Sequence, residues 1–335
     1  MKTILGILLL LFVGYAPLAL GQTLYPITEG GKVGFIDATG DVVIAPTYEG
    51  GYAPTEGLAA VRIDRKWGFV DDAHQLVIDA VFEEVFPFVN GRARVRSGER
   101  WGFIDRDGQE VIAPRFAEAH DFAEGLAPVK IAQGDVEGLP PGWGFIDREG
   151  HIVIDPDYER ALSFAEGLAP VQVFKKVLFF KLGERWGFVD QTGATALEPT
   201  YSTVRGFSNG LALIKDGDGL GFIDPSGQRI LDVPFEQVHP FAEGLARVKD
   251  KERWGFIDTA GQPVISLQFD YADDFSDGMA LVKSGQKWGY IEPSGAYVIQ
   301  PQFEQARPFN GDLAYVRRDG RAGYIDRTGA FVWSR

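Results

Sequence analysis

Arg253-Trp254-Gly255-Phe256-Ile257-Asp258 is one of nine versions of a single phrase, whose glycines are Gly34, Gly68, Gly102, Gly144, Gly187, Gly221, Gly255, Gly289 and Gly323. Subtracting neighbours gives steps of 34, 34, 42, 43, 34, 34, 34 and 34 residues. A fixed period in this range marks a tandem-repeat protein, because one short unit cannot bury its own apolar face and must stack on the next.

Working outward from Trp254, the unit reads as β-structure. Leu245-Ala-Arg-Val248 alternates, a charged turn runs from Lys249 to Arg253, Trp254 to Asp258 alternates again, and Thr259-Ala-Gly261 leads into Pro263-Val-Ile265. Three short β-branched or aromatic runs separated by Gly, Asp and Lys predict a three-stranded antiparallel meander. The turn after the second strand carries Gly40, Gly108, Gly150, Gly193, Gly227, Gly261, Gly295 and Gly329, with His74 in that place in the second unit. A tight hairpin requires positive φ there, where a Cβ is penalised. The preceding acids, Asp37, Asp71, Asp105, Asp147, Asp190, Asp224, Asp258 and Asp326, recur as structural caps do, since an Asp side chain bonds backbone N–H groups two residues on.

Two aromatic series follow the third strand in step with the glycines. The first is Tyr48, Phe82, Phe116, Tyr158, Tyr201, Phe235, Phe269 and Phe303, and the second is Phe88, Phe122, Phe164, Phe207, Phe241, Phe275 and Phe309. Such rings pin each connection onto the next meander. Alternation places Trp, Phe and Asp of the second strand on one face, and Gly and Ile on the other. The tryptophans Trp67, Trp101, Trp143, Trp186, Trp254 and Trp288 read as repeat core, with Val33, Leu220 and Ala322 in the remaining units. Two of those exceptions are terminal units, as expected if end units have fewer neighbours. Pro26, Pro128 and Pro170 recur at one position of the first strand, which predicts an edge there because proline cannot donate to a ladder.

The residues Lys66-Trp67-Gly68-Phe69-Val70, Arg253 to Asp258, and Lys287-Trp288-Gly289-Tyr290-Ile291-Glu292 resemble the WG-repeat (KWG-repeat) family of bacterial tandem β-repeat proteins, over essentially the whole chain from about Leu24 to Arg335. The resemblance implies exported repeat proteins with no catalytic motif to carry over, and a variable copy number that suits an open array. The chain starts on a first strand, at Leu24-Tyr-Pro-Ile27, and stops on a third, at Val332-Trp333. No shared terminal blade of the kind that closes many rings is evident. The expected fold is therefore all-β: about nine three-stranded meanders of period 34 in an open, twisted stack, with a closed β-propeller-like ring as the alternative.

Residues 1–21 stand apart, with Lys2, an apolar run from Ile4 to Val13, and Ala19-Leu20-Gly21. That pattern predicts a signal peptide cut before Gln22, and a repeat domain over 22–335 that is exported to the periplasm or secreted and has no transmembrane span after cleavage. The chain has no cysteine, so disulfides and lipid-modified cysteine are excluded, and packing alone stabilises it. A net charge of −14 argues against nucleic acid as a partner.

Two steps exceed the period, and both insertions fall between the first and second strands of consecutive units, at Ala132 to Gly142 and Phe174 to Glu184. Equivalent loops of successive repeats emerge on one side, and such insertions often bind. The second holds Lys175, Lys176, Val177, Phe179, Phe180 and Lys181, an apolar and basic hairpin on an acidic protein, and is the candidate contact for a protein partner, the alternative being a longer hairpin folded back on its own array. An alternative is a cell-wall glycan stacked on the six tryptophans. His74, His120, His151 and His239 are more than thirty residues apart and have no zinc-ligand spacing, and Asp216-Gly-Asp-Gly219 lacks the later oxygens of a calcium loop. No nucleophile elbow, cysteine nucleophile or phosphate-cradling loop is present. The expectation is a non-enzymatic interaction scaffold with no metal or cofactor.

Overall fold

A computed structural model of the protein describes residues 23–136, 138–177 and 180–335, the side chains at 174–177 and 180–182 excepted. The segment read as a signal peptide, 1–21, lies outside the described residues. Each unit forms one small antiparallel sheet, called a blade below. Blade three is typical: a two-residue leading strand Glu84–Val85, then Ala93–Ser97, Arg100–Ile104 and Glu110–Phe116, hydrogen-bonded in that order. Among the described residues blade one has three strands, Tyr25–Glu29, Lys32–Ile36 and Val42–Tyr48. No helix among the described residues is long and apolar enough to cross a membrane.

The leading strand corrects two expectations in blades two to nine: those sheets have four strands rather than three, and their first strand is not an edge, whereas in blade one the described strand Tyr25–Glu29, with Pro26, is one. In blades four and five proline is tolerated for a different reason. The carbonyls of Pro128 and Pro170 accept from the N–H groups of His120 and Leu162 in the leading segment. A strand residue directs its N–H and C=O the same way, so the proline position never supplied a donor to the second strand.

The glycine beside each tryptophan has a backbone reason. Between the second and third strands the register slips, so that Trp101 faces Phe116 while Phe103 faces Ile112. The longer third strand bulges over Gly102, where a Cβ would stand 2.4 Å from the Ile112 carbonyl oxygen.

Closure follows from how the blades pack. In the second strand, Phe and Trp face the following blade and Ile faces the preceding one, so every apolar core is shared. Phe103, Ile112 and Phe116 of blade three meet Ala119, Phe122, Ala127, Val129 and Ile146 of blade four. The connection ring packs on the previous blade each time, at 5.0 Å for Phe69–Phe88, 4.8 Å for Phe103–Phe122 and 4.9 Å for Phe256–Phe275. Burying one such Phe stabilises by about 1.5–3 kcal/mol. Nine blades in an open array have eight such junctions, whereas the described residues form nine. The ninth joins Leu313 and Tyr324 of blade nine to Tyr25, Ile27 and Ile36 of blade one.

The molecule is thus a closed nine-bladed β-propeller, and the open stack is overturned. The lack of an evident shared terminal blade in the sequence does not imply open ends, because side-chain packing among the described residues closes the seam. Tyr25 and Tyr324 lie 5.6 Å apart, taking the place of the Phe–Phe pair at other junctions. Asp312 N–H donates to the Tyr25 hydroxyl at 3.0 Å, and the Tyr324 hydroxyl donates to the Pro26 carbonyl at 2.8 Å. The turn glycines repeat the message: Gly108 packs against Ile78 and Gly150 against Ile112 of the preceding blade, and Gly40 approaches Val332 of blade nine.

Candidate binding rims

Because Ala93 pairs with Ile104 and Ser97 with Arg100, each blade has two ends with different turns. One rim of the ring gathers the Asp turns between second and third strands, together with the turns that enter the first strand. The other gathers the hairpins between first and second strands.

On the turn rim, Asp37 Oδ1 accepts from Thr39 N–H at 2.9 Å and Asp41 N–H at 3.0 Å, and Asp105 and Asp258 cap their turns alike. Burial pushes the Asp37, Asp147 and Asp326 carboxyls up, but the bonds they accept outweigh it and hold them below the usual carboxylate value. In Asp190 and Asp224 the largest cause is the hydroxyl of Thr192 or Ser226, which lowers the carboxyl directly. Folded values below the unfolded 3.8 mean a contribution to stability fully present above that pH and lost as pH falls through the folded value. The expected result is that Asp224→Asn lowers the melting temperature at about pH 6 and that the gap to wild type narrows as the pH is taken below the unfolded 3.8. A gap of unchanged size in acid sinks this account. His74 occupies the glycine place at φ 64°, a conformation His tolerates better than most residues.

The same rim holds a device that the repeat pattern did not disclose. Thr55 and Leu58 exchange both backbone bonds around Glu56-Gly57, a two-residue turn with φ of 52° and 82°. Such turns favour Asn or Asp at the first position, yet Glu56, Glu124, Glu166 and Glu243 all stand there at positive φ. Their longer side chains cross to the next blade. Gly91 N–H donates to Glu56 at 3.0 Å, Gly167 to Glu124 at 2.9 Å, Gly210 to Glu166 at 3.0 Å and Gly278 to Glu243 at 3.1 Å. The recurring acid-Gly pair was the available signal. Its meaning required knowing that successive turns adjoin.

The tryptophans lie at the opposite end of the second strand, in or against the junction cores. Trp143 and Trp254 are buried, and Trp67, Trp101, Trp186 and Trp288 pack against four other junctions. Aromatic neighbours lie against several of them: Trp67 stacks on Tyr52 at 4.8 Å, and His120 and Tyr271 make edge contacts with Trp143 at 5.0 Å and Trp288 at 5.5 Å, while Trp67, Trp101, Trp186 and Trp288 stay partly exposed. Beside Trp254, buried Arg247 donates to the Ala272 carbonyl of the next blade at 2.6 Å and ion-pairs with Asp273 and Asp274 at 3.1 and 2.8 Å. Burial first, then the Arg247 charge, depresses the His239 imidazolium, while burial raises the Asp274 carboxyl against the Arg247 attraction. This network clamps two blades together.

On the hairpin rim, Asp216-Gly-Asp-Gly219 is a tight turn, with Asp218 N–H donating to Asp216 Oδ1 at 2.9 Å and Arg229 holding the second oxygen at 2.8 Å. The two enlarged loops sit on adjacent blades, four and five, and differ. The blade-four loop folds back on the ring: Val136 and Leu139 pack against the core between blades three and four, and Asp135 pairs with Arg100 at 2.5 Å. The blade-five insertion lengthens the ladder itself, with Leu168–Val177 and Phe180–Asp190 forming one long hairpin. Lys175, Lys176 and Val177 lie on its outgoing strand and Phe180 and Lys181 on its return, with Lys176 opposite Lys181 and Val177 opposite Phe180. Phe179 falls outside the described residues.

Such a ring of shared cores, with turns on both rims, defines an all-β repeat propeller suited in general to non-catalytic protein interaction. The profile of the WG-containing repeat matches residues 34–67, 67–101, 101–133, 143–176, 186–219, 221–253, 254–288 and 288–321, and the chain belongs to that family. No curated protein matches it. Among solved structures it is similar to one described as "Crystal structure of the eukaryotic initiation factor", with 11% identity, 94% of this chain and 96% of that chain covered, and a TM-score of 0.65. Apo AztD from Citrobacter koseri aligns at 15% identity over 82% of this chain and 93% of that chain, with a TM-score of 0.41. At such identity the first likeness concerns the fold alone.

Proposed function

We propose that this protein is an exported, non-catalytic scaffold that holds a protein partner on its hairpin rim, with the long hairpin of blade five as the recognition element. The observation that carries the reading is the ten- and eleven-residue strands of that hairpin, against five and five in blade three. A paired backbone ladder longer than its neighbours' offers a partner an extended edge. Its Lys175, Lys176 and Lys181 stand out on a chain of net charge −14 and favour an acidic partner surface. Export rests on residues 1–21, and the reading of no catalysis rests on the recurrence of every acidic cap, since a structural carboxylate is needed in each blade. Sugar stacking is not proposed, because Trp143 and Trp254 are buried and the other four tryptophans pack against junction cores.

The test compares the full chain with a variant in which residues 174–184 are cut to an ordinary hairpin. Shortening should leave the melting temperature within about 2 °C, because the ladder beyond the ring contributes little to any junction core. It should abolish recovery of a specific protein from envelope extract. Equal recovery by both forms places the contact elsewhere and removes the hairpin from the reading.

A further inference from the structure

The seam between blades nine and one contains a cleft of about 470 Å³. Its origin lies in the repeat itself. Six units carry tryptophan at the head of the second strand, but the two blades flanking the seam carry Val33 and Ala322, and both line the cleft. The ring has neighbours on both sides there, so the small residues are not explained by missing partners. Ala322, which faces blade one, vacates the volume that an indole fills elsewhere, while Val33 packs into the core between blades one and two and lines the cleft from its far side.

What lines that volume has chemical direction. Arg307 and Arg335 reach it, with Tyr315 and Trp333 as aromatic walls. Arg94 and Arg247, which bridge two other junctions, each hold a carboxylate, at 2.7 Å to Asp121 and 2.8 Å to Asp274. Among the described residues neither Arg307 nor Arg335 has a side-chain carboxylate within ion-pairing reach, although the chain has 47 acidic against 33 basic residues. Arg335 instead donates across the seam to the Thr28 carbonyl, and Arg307 lies over the Tyr315 ring at 5.8 Å. Two guanidiniums with no side-chain carboxylate paired to them among the described residues, beside aromatic walls, match an anion fused to a flat apolar group.

We propose that this cleft binds a small aromatic carboxylate or a like planar anion, with the guanidiniums on the charge and Tyr315 and Trp333 against the ring. The site lies on blades nine and one, apart from the blade-five hairpin, so it stands independently of the partner reading. Calorimetric titration of the full chain with 1-naphthoate and with neutral 1-naphthylmethanol tests it. The carboxylate should bind, and the alcohol at least about tenfold more weakly. Arg307→Gln should weaken naphthoate by about tenfold or more. Ala322→Trp restores the repeat's own residue, fills the cleft and should abolish binding. No naphthoate binding to the unaltered chain, equal binding of both probes, or binding that survives both substitutions overturns the site. Should Ala322→Trp disturb folding, Arg307→Gln still decides, since that guanidinium forms no ion pair within the described structure.

Discussion

Tyr25→Ala is expected to open the ring. The side chain is 1% exposed and supplies the ring that packs on Tyr324, the acceptor for Asp312 N–H, and one wall of the seam core with Ile27 and Ile36. Removing a buried aromatic of this size costs roughly 3–5 kcal/mol. Here the loss also breaks the only junction not supported by a covalent connection, because blade one follows blade nine in space but not in sequence. The expected readout is a lower melting temperature together with protease cutting near Thr23 to Glu29 that the wild type resists. Tyr25→Phe separates the two contributions: it keeps the ring contact, loses one hydrogen bond worth about 0.5–1.5 kcal/mol, and should leave the seam shut. Full resistance to protease and an unshifted melting temperature in Tyr25→Ala would mean that the seam does not depend on this contact.

The same residue shows how far the sequence could be read. Period, strand positions, the second-strand glycine and the Asp caps were all legible because each recurs, and recurrence in a chain that must bury one face per unit is itself a packing argument. Closure was not legible by that route, since it happens once. The missing shared blade invited the wrong conclusion, because closure here needs no strand exchange: side chains alone join Leu313 and Tyr324 to Tyr25, Ile27 and Ile36. Yet Tyr25 stands where every other unit has alanine, at Ala59, Ala93, Ala127, Ala169, Ala212, Ala246, Ala280 and Ala314. A single large ring among eight alanines is the missing connection aromatic supplied from another place in the unit. Ala322 carried a second signal, taken as the mark of an end without neighbours, when it faces blade one across the seam and leaves space there. The leading strands escaped notice because two residues are too short to show a period, and Pro26, Pro128 and Pro170 made the neighbouring strand resemble an edge.

Trp254→Ala should be the most destabilising of the tryptophan replacements. Its indole is 6% exposed, in the core with Phe256, Ile265, Phe269, Ala272 and Phe275, and lies 5.4 Å from the Arg247 guanidinium. The cavity left behind is lined by both blades, so relaxation of one cannot fill it, and the expected cost is roughly 3–5 kcal/mol. The loss of the ring also uncovers Arg247, whose bonds to Ala272, Asp273 and Asp274 tie blade seven to blade eight. Trp67→Ala is the informative comparison, because Trp67 is only half-buried and rests on Tyr52 of its own blade. If the indoles are cement between blades, thermal melts rank Trp254→Ala well below Trp67→Ala. If the two variants melt together, burial at the junction does not set the role of the repeat tryptophan. A melting temperature unchanged in both returns these rings to the solvent, where a stacked ligand could use them.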